Sequence, residues 1–227
     1  MGSIEHGYSV ITNNATEGTV YLYGQIGDDL FGDGVSAKQF ADDINALDVA
    51  VLNVQINSPG GSVFDGIAMK ASLDRHPARI RVSIDGVAAS IASVVAMAGD
   101  EITIADGGFV MVHRPFMMTA GTASDLRGHA DLLDKIDGQI QAAYHHRTGL
   151  PLADIDAMME AETWMDSAEA VERGFADGLS PELRIAAKFD MTRYQNTPAG
   201  LDVAPVLIDN MGEIDAAIGR VHRERTR

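Results

Sequence analysis

A chain of 227 residues can bury one sizeable core, or two small ones. Its 33 acidic against 17 basic residues give a formal charge of −16, which sets the surface against phosphate backbones and anionic lipid heads, so no nucleic acid and no membrane is expected as a partner. The absence of cysteine excludes a disulfide framework, a thiolate metal site and a cysteine nucleophile, and a composition 46% hydrophobic and 22% charged is that of a folded globular protein.

The opening residues MGSIEHGYSVITNN lack the basic stretch and apolar run of a secretory signal, and no segment reaches the ~18 apolar residues of a membrane span. A cytoplasmic protein is expected. Thr19–Ile26 (TVYLYGQI) is rich in β-formers and reads as a strand; a Gly/Asp-rich loop and a helix from about Ser36 to Leu47 follow. Val49–Ile56 is a nearly continuous apolar run, the pattern of a strand buried on both faces. It stops at Asn57-Ser58-Pro59-Gly60-Gly61, and Ser62, with Asp65 three residues on, then caps a helix to about Asp74.

Arg79–Ile84 is the next strand, expected to break at Asp85-Gly86. Ser90–Ala98 is a short apolar helix, and Glu101–Ile104 and Gly108–Val112 are two short strands. This alternation of strands and helices argues an α/β fold with right-handed crossovers. From Thr122 or Ser124 one long helix runs to about Gly149, with Leu126, Ala130, Leu133, Ile136 or Asp137, Ile140 and Tyr144 at helical spacing and the charges Asp131, Asp134, Lys135 and Asp137 read as solvated. Shorter helices are expected at 151–160 and 167–173, a linker at 196–200, and a last small helix around Met211–Val221. The division is an N-terminal segment (1–18), one domain (19–188) and a C-terminal linker and tail (189–227).

Three places can carry chemistry. In Gly86-Val87-Ala88-Ala89-Ser90 a strand ends on small residues and a serine meets the first turn of an apolar helix, whose free N–H groups suit an activated hydroxyl. The same serine could be a plain N-cap, and Ser93 is a rival on the same helix. The Asn57–Gly61 turn can expose backbone N–H groups toward an oxyanion, or be a turn and nothing more; it is no phosphate loop. His113 closes the strand FVMVH before Arg114-Pro115, at a strand end where α/β sites gather, with a structural role as its other reading. The remaining histidines sit on helices, before a proline or in tails.

INSPGGSVFDG (56–66), DGVAAS (85–90), AMAGD (96–100), MVHRP (111–115), GTASDL (121–126) and ETWMDSAEAVERGFAD (162–177) stand in the order found in the ClpP family of serine proteases. Over about Val20 to Leu179 the sequence resembles that family, and within it the ClpP-related head maturation (prohead) proteases of tailed phages and prophages. The resemblance implies the ClpP/crotonase-like fold, a spiral of ββα units with a projecting handle helix. It implies Ser90 as nucleophile, His113 as general base, and the backbone N–H groups of Gly61 and Ile91 as the oxyanion hole, with no cofactor and no metal. The family's third member is an aspartate; here Glu162 stands at the matching place in AETWMDSAEA, and Asp166 or Asp177 could substitute. A glutamate beside the imidazole is expected to raise the pKa of His113. Arg114 is a second departure, where the family often has glutamine.

The activity implied is peptide hydrolysis by acyl transfer, on a protein or peptide substrate such as capsid, scaffold or portal proteins. The partner implied is the chain itself, in a homo-oligomeric ring of six or seven subunits or a double ring; whether an ATPase partner docks is left open. A Ser-Lys protease would need one of Lys38, Lys70, Lys135 or Lys188 as base. A crotonase-type enzyme would use only the paired N–H groups, and a catalytically idle ring module would use none of this.

Overall fold

The computed structural model describes residues 8–12, 14–27, 34–180, 191–198 and 201. The small helix expected around Met211–Val221 lies outside them. Among the described residues eight strands form one sheet: β1 (Tyr8–Thr12), β2 (Glu17–Tyr23), β3 (Val51–Ser58), β4 (Arg79–Ala89), β5 (Glu101–Ala105), β6 (Phe109–Val112), β7 (Thr163–Asp166) and β8 (Gly178–Ser180). Their order is β1-β2-β3-β4-β5-β8, with β6 paired to β4 and β7 to β6. β1–β2 and β6–β7 are antiparallel and every other pair is parallel, the crossovers being helical. The helices are α1 (Ala37–Asn45), α2 (Val63–Arg75), α3 (Ile91–Ala96), α4 (Ala123–Thr148), α5 (Leu152–Glu160) and α6 (Ser167–Glu172). The α/β class read from the sequence is therefore the fold, and it is consistent with that of ClpP. Three strands, β1, β7 and β8, were not anticipated.

β4 does not break at Asp85-Gly86. Its first half, Arg81–Ile84, pairs with β5, and its second, Val87–Ala89, pairs with β6, so the strand changes neighbour where a stop was expected. Asp85 is buried at that point, its carboxylate accepting hydrogen bonds from Tyr23 Oη (2.5 Å) and Ser83 Oγ (2.6 Å). Tertiary partners thus supply what the local sequence lacks. Beyond the switch, alternation along the strand sends Ala88 into the main core and Val87 and Ala89 to the opposite face. There they pack with Met111, Met191 and Tyr194 in a second apolar cluster edged by Phe109 and Trp164.

α4 is built for projection. Its N-terminus carries a full capping box between Thr122 and Asp125, and it ends on Gly149 in the left-handed conformation. At 26 residues it spans ~39 Å, yet no residue before Ile136 is buried; Leu126 and Leu132 are exposed. Only its second half seats on the body, through Ile136, Ile140 and Tyr144. Asp137 departs from the solvated reading: it is buried and paired with Arg114 at 2.5 Å. Arg114 also reaches Asp156 (2.7 Å) and Glu160 (2.5 Å), so one guanidinium ties the end of β6 to α4 and α5.

Candidate active site

Ser90 stands between β4 and α3 with φ 56° and ψ −130°, a left-handed backbone that a serine adopts only under constraint. Its N–H donates to Met111 O on β6 (3.0 Å), which fixes the turn to the strand that carries His113. The side chain makes no cap hydrogen bond; instead Ser90 Oγ lies 2.8 Å from His113 Nε2. The N-cap reading of Ser90 therefore fails on geometry. Ser93 points away from the cleft: its buried hydroxyl donates to Ser90 O (2.6 Å) and pairs with Tyr144 Oη on α4 (2.8 Å).

The Asn57–Gly61 turn closes over Ser90. Gly60 has φ 85°, and a Cβ there would sit 2.6 Å from Ala89 O and 2.8 Å from Ser90 Cβ. Gly61 has φ 151°, and a Cβ there would fall 2.0 Å from Ile26 O. Both positions need glycine because backbone passes where a side chain would begin. Ser58 Oγ accepts from Gly60 N (3.1 Å), and Ile26 N and O hold Gly60 O and Ser62 N, which pins the turn on both sides. Among the described residues the N–H groups of Gly61 and Ile91 donate no hydrogen bond, and both border the Ser90 turn. Gly66 on α2 lets Ile91 pack directly against the helix backbone, since a Cβ there would meet Ile91 Cγ1 at 2.2 Å.

Glu162 lies between α5 and β7 in a left-handed conformation, φ 47°. Its Oε1 accepts from Asn196 N (2.7 Å) and Trp164 Nε1 (3.4 Å), and among the described residues it acts on His113 through space rather than by a hydrogen bond. The two substitute carboxylates are committed elsewhere. Asp166 caps α6 in a reciprocal box with Glu169, and Asp177 accepts from Ile102 N (2.7 Å) and Arg147 (2.6 Å). Burial pushes the His113 imidazole below its ordinary range; Glu162 pulls it upward and Arg193 pushes it further down. Glu162 raises the pKa as expected, but burial outweighs the carboxylate and the net shift is downward. Burial thus favours the neutral ring, whose Nε2 faces Ser90 Oγ and can accept its proton.

Residues 191–198, read from the sequence as the start of a linker, pack on this site. Tyr194 lies edge-on to His113 with ring centroids 5.4 Å apart, and Arg193 Nη2 donates to Pro59 O at 2.6 Å. Local sequence carried no signal for this contact. Two cavities, of about 140 and 400 Å³, border His113; the smaller also touches Ser90 and Gly61, and the larger Glu162. A third of about 1010 Å³, lined in part by His76 and His146, holds none of the candidate residues.

Among the described residues the lysines offer no rival base, since Lys38 and Lys70 pair with Asp42 and Asp74 on their own helices and Lys135 lies on the exposed half of α4; Lys188 lies outside the described residues. Among the described residues no group of His, Asp and Glu is placed to hold a metal ion, and no helix is long and apolar enough to cross a membrane. A serine hydroxyl on a neutral, buried imidazole beside unused N–H groups can perform acyl transfer.

Comparison with known proteins leads to the same chemistry. The Clp protease family model matches residues 3–182. The ATP-dependent Clp protease proteolytic subunit 2 of Bacillus licheniformis is 27% identical over 179 residues, covering 77% of this chain and 92% of that protein. The proteolytic subunit 2 of Parasynechococcus marenigrum is 31% identical over 58% of this chain and 68% of its own length. The proteolytic subunit of Chlorella vulgaris is 30% identical over 59% and 67%. With a family match over most of its length and a serine hydroxyl set against an imidazole, this chain belongs to the Clp protease family and is a serine-type peptidase.

Proposed function

We propose that this chain is an endopeptidase that cuts capsid, scaffold or portal proteins during the assembly of a tailed phage or prophage head. The observation that carries the catalytic part is the uncapped Ser90, whose Oγ meets His113 Nε2 at 2.8 Å. His113 takes the Ser90 proton as Oγ attacks the peptide carbonyl. The N–H groups of Gly61 and Ile91 hold the oxyanion. His113 returns the proton to the leaving amine, and water then releases the acyl group by the same steps in reverse. The negative charge of Glu162 stabilises the imidazolium that forms in each half-reaction.

The phage assignment rests on the stretches SPGGSVFDG, AMAGD and ETWM, which resemble the head maturation branch. The family and the first half of α4, which no neighbour covers among the described residues, support assembly into a homo-oligomeric ring of six or seven subunits, single or stacked. Incubation with purified capsid, scaffold and portal proteins of tailed phages is the test. Discrete fragments from internal cuts, absent with Ser90→Ala, are expected without ATP. Intact structural proteins together with steady digestion of casein would replace assembly processing with general proteolysis. Sedimentation showing only a 24.2 kDa species at micromolar concentration would overturn the ring.

A further inference from the structure

The segment 191–198 bonds groups on both sides of the candidate site, the Glu162 carboxylate among them. Asn196 N donates to Glu162 Oε1 at 2.7 Å, and Asn196 Nδ2 donates to Ala161 O at 2.9 Å. On the opposite wall, Pro59 O, immediately before the glycine pair, accepts from both Tyr194 Oη and Arg193 Nη2. Between these anchors the Tyr194 ring stands against His113, and its hydroxyl is close enough to Ser90 to interact with it. Tyr194 and Met191 are buried in the second apolar cluster, whereas Arg193 and Asn196 are exposed. The segment therefore spans the cleft from the glycine turn to the carboxylate. The space left beside Ser90, about 140 Å³, is that of roughly one side chain, too small for an extended peptide.

We infer that residues 191–198 are an intramolecular strap that occupies the peptide-binding cleft and must leave it before a protein substrate reaches Ser90. Ala161 and Glu162 line the larger cavity beside His113, Pro59 immediately precedes the glycine pair, and Arg193 and Tyr194 line the smaller cavity at Ser90, so strap and substrate compete. Release of Asn196 also frees Glu162 to turn toward His113. Opening thus clears the cleft and completes the acid–base pair in one movement. The inference rests on the reading of Ser90 as nucleophile.

Two full-length variants test it. Arg193→Ala removes an exposed anchor outside the apolar cluster, and Asn196→Pro removes the N–H that binds Glu162. Each loses one or two hydrogen bonds, so Ser90 is expected to react with a fluorophosphonate about fivefold to tenfold faster than in the wild-type chain. Emission of Trp164, the chain's one tryptophan, is expected to shift to the red as Tyr194 leaves its ring edge, 5.7 Å away. The peptide MTRYQNTP added in trans is expected to return both readouts toward wild type.

Wild-type labelling rates in both variants, with Trp164 shifted, overturn the strap alone. Slower labelling in folded variants also overturns it and makes 191–198 a fixed wall of the active site. Absence of Ser90 labelling in every form overturns the nucleophile reading, and the strap with it.

Discussion

Ser90 and Thr122 both stand immediately before the first turn of a helix, and the two ends are built in opposite ways. Thr122 keeps extended backbone angles, its hydroxyl accepts from Asp125 N, and the Asp125 carboxylate returns the bond to Thr122 N. Every atom there serves the helix. Ser90 has a left-handed backbone, gives α3 no cap, and turns its hydroxyl to His113. The short helix tolerates this because all six of its residues are buried, so packing rather than capping holds it. A hydroxyl withheld from a helix that would ordinarily claim it marks function; one that is given marks stability.

Substitutions sharpen that contrast in order of size. Ser90→Ala should lower peptide hydrolysis by about 10⁴ to 10⁶ in a steady-state assay while leaving the melting temperature nearly unchanged, since no cap is lost. Glu162→Gln should lower turnover by roughly 10² to 10⁴. It should also move the acidic limb of the pH profile further down, because the carboxylate favours the protonated imidazole and its loss leaves burial and Arg193 unopposed. An unchanged rate and profile would remove Glu162 from the catalytic set.

Gly61→Ala should cost about 10² to 10³ in turnover, as the new Cβ displaces the turn from Ile26 O and takes an oxyanion donor with it. Thr122→Ala is the mirror image of the first variant. It should destabilise the folded chain by about 1 kcal/mol in denaturant titration and leave the rate per folded molecule untouched.

The parts of the molecule legible in the sequence were those whose signals are local. The apolar run of β3, the Thr122 cap and Gly149 stop of α4, and the Gly60-Gly61 turn each announce themselves within a few residues. Ser90 and His113 could be singled out as a serine and a histidine at strand ends, but pairing them took a resemblance, because they stand 23 positions and a change of strand apart. The continuation of β4 through Asp85-Gly86 was hidden because its support comes from Tyr23, 62 residues away. Asp137 looked like one more solvated helix charge until Arg114 reached it from the end of β6. Residues 191–198 were least legible of all. Their polar, Pro-containing composition is that of a linker, and only the groove they enter gives it another meaning.

Fluorophosphonate labelling of the full-length protein across pH, with the adduct located by peptide mass mapping, tests the catalytic pair most directly. A single adduct on Ser90 is expected, forming faster as pH rises, with a midpoint below the ordinary histidine value of about 6.5 because burial disfavours the charged ring. An adduct on Ser93, or a rate on Ser90 that ignores pH through that range, would contradict the assignment of Ser90 and His113.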